Sequence, residues 1–257
     1  MQYHFIMITQ WALLIENEIV NKVLYDSIMG KGSARKFVIG DIHSHYDQFM
    51  EVLDKAGFQY DKDMLISLGD LVDRGPKPIE VVEKVMELKN FIHILGNHDE
   101  WCYQFLKYNY KPFIWTSQGG SSTVSAYSGR PELIKKHRDF FEKAKLYYID
   151  EESRLFVHGG YDGDIPFGEQ SDNKELLIWD RSLFRKAMEY DQSGKTFDEF
   201  KEIFIGHTPT QFIDSSTPLH FSNLWMLDTG VYLSGKLTIM NIETKEYWQS
   251  NSGYQDL

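Results

Sequence analysis

The sequence predicts an α/β fold in which short buried strands alternate with longer helices. The main support is a repeated local pattern: after residue 35, six short apolar runs each end at a glycine with a polar neighbour. Stretches with the spacing of amphipathic helices separate several of these runs. The chain has 257 residues, of which 42% are hydrophobic and 25% are charged, so it can bury a large single core.

Each element is predicted from its own residues, in chain order from Lys36. The runs that predict strands are KFVIGD (36–41), MLISLGD (64–70), FIHILGN (91–97), RLFVHGG (154–160), EIFIGHT (202–208) and LWMLDTG (224–230). Helical spacing covers residues 46–57, 76–90, 131–145 and 174–190. Pro76 stands near a helix start, where its missing N–H loses no partner, and KLTIMNI (236–242) predicts a late strand that closes a sheet.

A glycine- and serine-containing break, MGKGSAR at 29–35, divides the chain. We interpret residues 1–32 as an N-terminal extension, a candidate for a dispensable segment, and residues 33–257 as the domain that carries the chemistry. The apolar run at residues 5–15 lacks the basic start and the small-residue cleavage site of a signal peptide. It is also too short to span a bilayer, so no membrane partner is predicted.

Charge and cysteine content exclude several classes of protein. The net charge of -11 argues against a nucleic acid polymer as partner, because such a partner requires clustered Lys and Arg. It also argues against steering of anionic substrates by the field of the whole molecule. The single cysteine, Cys102, rules out an intramolecular disulfide and a thiolate metal cluster, which fits a cytoplasmic location.

Polar side chains stand at the glycine-marked strand ends, and ligands of α/β proteins gather at the carboxyl ends of strands. The candidate metal-site residues are Asp41, His43, Asp70, Asn97, His98, His158 and His207. Carboxylate, imidazole and amide oxygen without sulfur suit manganese, iron or zinc. Asp70 is best placed to bridge two divalent ions, since one carboxylate offers two oxygens.

The predicted site stays positive although the protein is acidic. Two divalent ions bring four positive charges, of which Asp41 and Asp70 remove two, while the histidines and Asn97 are neutral ligands. Two such ions also lower the pKa of a shared water and hold both the attacking and the leaving oxygens. The sequence therefore predicts a local trap for anions and phosphoryl chemistry.

Five strings closely resemble the calcineurin-like metallophosphoesterases: GDIHS (40–44), GDLVDRG (69–75), GNHDE (96–100), VHGG (157–160) and IGHT (205–208). Within that superfamily the chain is similar to bacterial and phage-type phosphoprotein (serine/threonine) phosphatases. It is also similar to their relatives, the symmetrical diadenosine-tetraphosphate hydrolases. The resemblance covers about residues 36–243, including WTSQGGSSTVSAY (115–127) and LLIWDR (176–181).

The resemblance implies a fold of two facing mixed β-sheets flanked by helices, the four-layer sandwich of these enzymes. It implies a first metal, commonly manganese, held by Asp41, His43 and Asp70. A second metal would bind to Asp70, Asn97, His158 and His207. The general acid would be His98, oriented by Asp73, and the groups that bind the substrate phosphate would be Arg74, Asn97 and Arg181.

Arg181 has a second interpretation, that of a solvated arginine at a helix cap. The chain also departs from the family pattern at Ser44, where glycine is usual. If that position requires positive φ, serine introduces modest strain. The next residue, His45, could approach the metals, although a surface or supporting role is favoured.

The predicted function is hydrolysis of a phosphorylated protein or a small phosphorylated substrate. The favoured form is a serine/threonine protein phosphatase or broad phosphomonoesterase, in which a metal-bridging hydroxide attacks phosphorus and His98 protonates the leaving oxygen. One alternative is a symmetrical dinucleoside-polyphosphate hydrolase, and another is a non-catalytic phosphate-binding protein. The aromatic stretch YNYKPFIW (108–115) could stack a nucleobase at the pocket rim or, more commonly, form a packed cap over the core.

Overall fold

The computed structural model describes residues 34–251, which form two five-stranded mixed sheets with helices around them. The predicted extension and its apolar run lie outside the described residues. Within the described part, the strands are β1 (Lys36–Ile39), β2 (Met64–Ser67), β3 (Phe91–His93), β4 (Tyr147–Ile149), β5 (Arg154–Val157), β6 (Glu202–Ile205), β7 (Leu219–Phe221), β8 (Leu224–Met226), β9 (Thr238–Asn241) and β10 (Tyr247–Gln249). Their order is β10-β9-β1-β2-β3 in the first sheet and β4-β5-β6-β8-β7 in the second.

The helices connect the strands and cover the sheets. They are α1 (Tyr46–Lys55), α2 (Pro78–Glu87), α3 (Asn97–Tyr108), α4 (Phe113–Trp115), α5 (Ser121–Ala126), α6 (Pro131–Phe141), α7 (Lys174–Trp179), α8 (Leu183–Ser193) and α9 (Val231–Ser234). No helix within residues 34–251 is long and apolar enough to cross a membrane.

The six runs that end in glycine are the parallel strands of the two sheets. β1, β2 and β3 run parallel in one sheet, and β5, β6 and β8 run parallel in the other. Parallel strands are buried on both faces, and their sequences are therefore continuously apolar. The antiparallel strands β4, β7 and β10 at the sheet edges were not predicted.

The two sheets share an apolar core. Phe156 and Phe204 stack with ring centroids 4.9 Å apart, and both pack in a cluster with Val38 and Ile66 of the first sheet. Separate apolar clusters join the first sheet to α1, α2 and α3 and the second sheet to α8. The prediction of two facing mixed sheets flanked by helices is confirmed.

The single helix predicted over residues 174–190 is wrong, because the chain breaks at Asp180 between α7 and α8. Asp180 is extended, with φ -60° and ψ 141°. Its carboxylate accepts hydrogen bonds from the backbone N–H groups of Ser182 (3.0 Å) and Leu183 (2.9 Å), which begins α8 as a new helix. The break places Arg181 in an irregular turn rather than on a helix surface.

The packed cap predicted for residues 108–115 is also wrong for most of that stretch. Trp115 is fully buried, but Phe113 is 84% exposed and Ile114 53% exposed. Tyr108 and Tyr110 are 67% and 53% exposed. The aromatic side chains before Phe113 therefore face solvent and are free to contact a ligand.

Candidate metal centre

The carboxyl ends of the parallel strands of both sheets converge on one recess. Each predicted metal ligand follows such a strand, and all are buried, with at most 5% exposure: Asp41, His43, Asp70, Asn97, His158 and His207. In two trios the ligand atoms lie within 4.8 Å of one another, namely Asp41, His43 and Asp70, and Asp70, His158 and His207. The structure thus places side chains separated by up to 166 residues in one small volume.

Asp70 belongs to both trios and stands between their histidines. Its Oδ2 lies 3.7 Å from Nε2 of His43 and 3.5 Å from Nε2 of His158. Its Oδ1 accepts a hydrogen bond from the backbone N–H of His98 (2.9 Å), which fixes the carboxylate. This is the placement that a bridging carboxylate requires.

The histidines present the tautomer that binds metal. Nδ1–H of His43 donates to the carbonyl oxygen of Val72 (3.0 Å), and Nδ1–H of His158 donates to that of Leu68 (2.7 Å). A carbonyl oxygen can only accept, so Nε2 of each ring carries the lone pair that faces Asp70. Burial lowers the pKa of both imidazoles, which keeps them in the neutral, ligating form.

Two further contacts fit a cation better than they fit a site without one. Nε2 of His158 lies 3.0 Å from Oδ1 of Asn97, and both atoms present a lone pair. Two lone pairs repel each other at this distance unless both bind the same positive ion. Nε2 of His207 is buried and has no hydrogen-bond partner among the described residues. Burial lowers the pKa of His207 as well. The residues present therefore fit two divalent ions with nitrogen and oxygen ligands.

Glycine is required where the ligands approach the backbone. A Cβ on Gly96 would lie 2.1 Å from Oδ1 of Asp70, and one on Gly206 would lie 2.4 Å from Oδ1 of Asp41. Any side chain at either position would displace a carboxylate. The glycines that ended the predicted strands are thus part of the site itself.

Sequence reasoning missed Asp228, a third buried carboxylate in the recess. Burial and the neighbouring Asp70 raise the pKa of Asp228 to about 7. Burial together with Asp228 and Asp70 raises the pKa of Asp41 well above its usual range. If all three carboxylates ionise around two divalent ions, the site keeps one net positive charge rather than the predicted two. The signal was in LWMLDTG, whose strand-end Asp repeats the pattern of the assigned ligands.

His98 and Asp73 form a buried pair beside the ligands. Nδ1 of His98 lies 2.6 Å from Oδ2 of Asp73, and both side chains are at most 1% exposed. Asp73 is itself held by two donors that the sequence did not identify as functional. Nε1–H of Trp115 donates to Oδ2 (2.5 Å), and the hydroxyl of Thr123 donates to Oδ1 (2.5 Å).

Both predicted phosphate-binding arginines line the recess, which has a volume of about 30 Å³. Nη2–H of Arg74 donates to Nε2 of His98 (3.1 Å), and the guanidinium carbon lies 3.8 Å from the ring centre of Tyr232. Arg181 reaches the recess from the turn after α7 and lies 5.9 Å from the ring of Phe212. It does not cap a helix, because Asp180 performs that role.

Ser44 adopts the left-handed conformation for which the family pattern uses glycine. Its φ is 62°, and its hydroxyl is buried without a hydrogen-bond partner among residues 34–251. His45 is buried rather than on the surface, and its Nδ1–H donates to the carbonyl oxygen of His43 (2.6 Å). His45 therefore supports the loop that carries His43.

The comparisons with known proteins agree with this geometry. The chain is 27% identical over 237 residues to the asymmetrical bis(5'-nucleosyl)-tetraphosphatase PrpE of Halalkalibacterium halodurans. The alignment covers 82% of this chain and 91% of the relative. Its fold is similar to that of a solved protein assigned provisionally as a diadenosine tetraphosphatase, with a TM-score of 0.64, 17% identity and coverage of 88% of this chain and 96% of the other. It is also similar to a serine/threonine protein phosphatase from Saccharomyces cerevisiae, with a TM-score of 0.58, 14% identity and coverage of 86% and 80%.

The family profile of the calcineurin-like phosphoesterases matches residues 34–233, which include all the predicted metal ligands. The relative from Halalkalibacterium halodurans, itself named as a hydrolase, aligns along most of this chain. The chain therefore belongs to the calcineurin-like phosphoesterase family and is a hydrolase of phosphoric ester bonds.

Proposed function

We propose that the protein hydrolyses dinucleoside polyphosphates asymmetrically with the help of two divalent cations. The observation that carries the hydrolytic part is the position of Asp70, whose Oδ2 lies within 3.7 Å of two histidines from opposite sheets. The similarity to an asymmetrical tetraphosphatase along 91% of that relative supports the substrate class. It favours this reaction over the protein phosphatase and the symmetrical hydrolase that the sequence suggested.

In this proposal Asp41, His43 and Asp70 hold one cation, and Asp70 joins Asn97, His158 and His207 around the other. When bound, the two cations would supply Lewis acidity and would lower the pKa of a water molecule, which makes water a better nucleophile near neutral pH. Manganese as the metal and the cytoplasm as the location stay predictions.

Arg74 and His98 act in sequence on the substrate. Nη2 of Arg74 lies 3.1 Å from Nε2 of His98, so the two groups face the same point of the recess. A phosphate oxygen that accepts hydrogen bonds from Arg74 would draw the guanidinium away from Nε2, which then faces the leaving oxygen. Asp73, at 2.6 Å from Nδ1, holds the ring in this orientation.

Hydrolysis forms a bond between the water oxygen and phosphorus and breaks the bond from phosphorus to the leaving oxygen. His98 gives its Nε2 proton to that oxygen, the attacking water loses one proton to solvent, and Arg74 and Arg181 face the charge on the phosphoryl group. With a dinucleoside tetraphosphate, asymmetrical attack yields a nucleoside monophosphate and a nucleoside triphosphate.

The test is a parallel assay of manganese-loaded protein on diadenosine tetraphosphate, para-nitrophenyl phosphate and a phosphopeptide, with chromatography of the nucleotide products. We expect AMP and ATP in equal amounts. Two molecules of ADP would show symmetrical cleavage, and no hydrolysis of the dinucleotide by metal-loaded protein would contradict the proposal.

A protein phosphatase remains the second candidate, because apolar side chains are exposed beside the recess. Phe212 is 65% exposed next to Arg181, and Leu233 is 51% exposed next to Tyr232. Such residues would contact a peptide that carries the phosphate. The phosphopeptide arm of the assay tests this candidate, and a higher kcat/KM there than on the dinucleotide would establish it.

A further inference from the structure

A second cavity, of about 640 Å³, lies on the surface formed by α3 and the loop after it. This volume falls within the range of about 300–1,000 Å³ typical of small-molecule sites. Tyr108 and Tyr110 line it and are more than half exposed, and Lys111 supplies a positive charge. Glu100, which also lines it, is neutralised by an ion pair with Lys174 (2.7 Å).

Both elements that bound this cavity lead into the metal recess. α3 begins with Asn97 and His98 in the recess, and its later turns carry Gln104 and Tyr108 along the cavity. α7 begins at Lys174 on the cavity and ends at Trp179, which lines the recess. A ligand that occupies both sites would therefore follow the direction of these two helices.

Aromatic rings in edge-to-face contact lie along α3 and α7 between the two sites. The ring of Trp101 lies 5.2 Å from that of His98 and 5.1 Å from that of Trp179. From His98 to Tyr108 the helix rises about 15 Å. A phosphate chain that starts at the metals and passes these rings would bring its far end to the tyrosines.

The chemistry of the cavity fits a nucleoside attached to phosphates. Aromatic side chains bind nucleobases by stacking, and each stacked base contributes about 1–3 kcal/mol. Lysine ammonium groups bind phosphate oxygens as point charges. Gln104 adds an amide, the side-chain group that pairs with the edge of adenine; one of its N–H groups donates to Glu100 (2.8 Å), which leaves its carbonyl oxygen and second N–H to face the base.

We propose that this cavity binds the far nucleoside of the substrate, the one that leaves as part of the nucleoside triphosphate. Tyr108 and Tyr110 would stack on its base, while Lys111 would contact its phosphates. The inference rests on the proposed function, and it gives a physical reason for asymmetrical cleavage. When the far nucleoside is held several phosphates away from the metals, the phosphorus at the opposite end of the phosphate chain lies at the attack position. A central phosphorus does not.

The test compares wild-type protein with the double variant Tyr108→Ala/Tyr110→Ala. We expect KM for diadenosine tetraphosphate to rise about tenfold or more, from the loss of base stacking. The kinetic constants for para-nitrophenyl phosphate should not change, since that substrate does not reach the cavity. The matched control is Phe113→Ala, at the start of α4 directly after this loop, 84% exposed but outside the cavity lining, which should leave the kinetic constants for both substrates unchanged.

A second measurement separates this inference from the proposed function. Inhibition of para-nitrophenyl phosphate hydrolysis by ATP and by inorganic tripolyphosphate reports nucleoside binding even if the dinucleotide is not cleaved. We expect the wild type to prefer ATP and the double variant to lose that preference. A wild type that binds both equally, a variant that keeps the preference, or an equal loss of activity on both substrates would overturn the proposed site.

Discussion

The hydroxyl of Thr123 anchors Asp73, and its removal should reduce both stability and activity. Oγ1 donates to Oδ1 of Asp73 (2.5 Å) and accepts from the backbone N–H of Asp73 (3.1 Å), and both residues are fully buried. Thr123→Val retains the branched shape and removes both hydrogen bonds. A hydrogen bond to a charged group contributes about 1.5–3 kcal/mol, and a buried N–H without a partner costs about 1–3 kcal/mol. We therefore expect the free energy of unfolding, measured in urea, to fall by about 3–5 kcal/mol.

The effect on activity should pass through His98. Asp73 holds His98 by its other oxygen, Oδ2, so a carboxylate that has lost its anchor on Oδ1 orients the imidazole less well. We expect kcat on diadenosine tetraphosphate to fall about tenfold, a part of the 10²–10⁴-fold that a general acid typically contributes. The loss on para-nitrophenyl phosphate should be smaller, since nitrophenolate leaves without much protonation.

A double-mutant cycle tests this reasoning. In a His98→Asn background, Thr123→Val should cause no further loss of kcat, because the residue through which it acts is absent. Elemental analysis should show the same metal content in all variants, since neither residue belongs to the two ligand trios. Additive losses of kcat would refute the reasoning. So would an equal loss in Thr123→Ser, the matched control that keeps the hydroxyl.

Three other predictions concern stability. Ser44→Gly should raise the free energy of unfolding by about 1 kcal/mol, because it relieves a left-handed serine at φ 62°; a lower urea midpoint would show that no strain is relieved. Arg154 donates hydrogen bonds to Glu243 and holds the pKa of that carboxylate below its usual 4.5. The ion pair therefore stabilises the fold above that pH, and this stabilisation is lost as acidification protonates Glu243. Glu243→Gln should therefore lose less stability than the wild type on acidification from about pH 6 to about pH 3, and thermal melts showing parallel curves would contradict the sign. Chelation of the metals should lower the free energy of unfolding, by about 2.7 kcal/mol for an ion that had been present at 100 times its Kd. Addition of manganese should restore the lost free energy of unfolding. A melting temperature unchanged after verified metal removal would count against the two-ion site.

The sequence determined the parallel strands and their ends. A strand buried on both faces must be apolar throughout, and the turn that leaves it beside a ligand must contain glycine, so both features are visible in a few adjacent residues. The fold was thereby indicated by the strings GDIHS, GDLVDRG and GNHDE. The same strings led to the hypothesis that Asp41, Asp70 and Asn97 belong to one metal site. The recess contains these residues together with His158 and His207.

Only the tertiary structure decided what surrounds those residues. Trp115 and Thr123 reach Asp73 from 42 and 50 positions along the chain, and neither has a local pattern that indicates a buried carboxylate as its partner. The break at Asp180 places Arg181 in the recess, although the spacing of residues 174–190 predicts a continuous helix. The physical reason is that spacing and glycine content report a residue's own segment, whereas hydrogen bonds to distant side chains and exposure at a pocket rim depend on how separate segments pack.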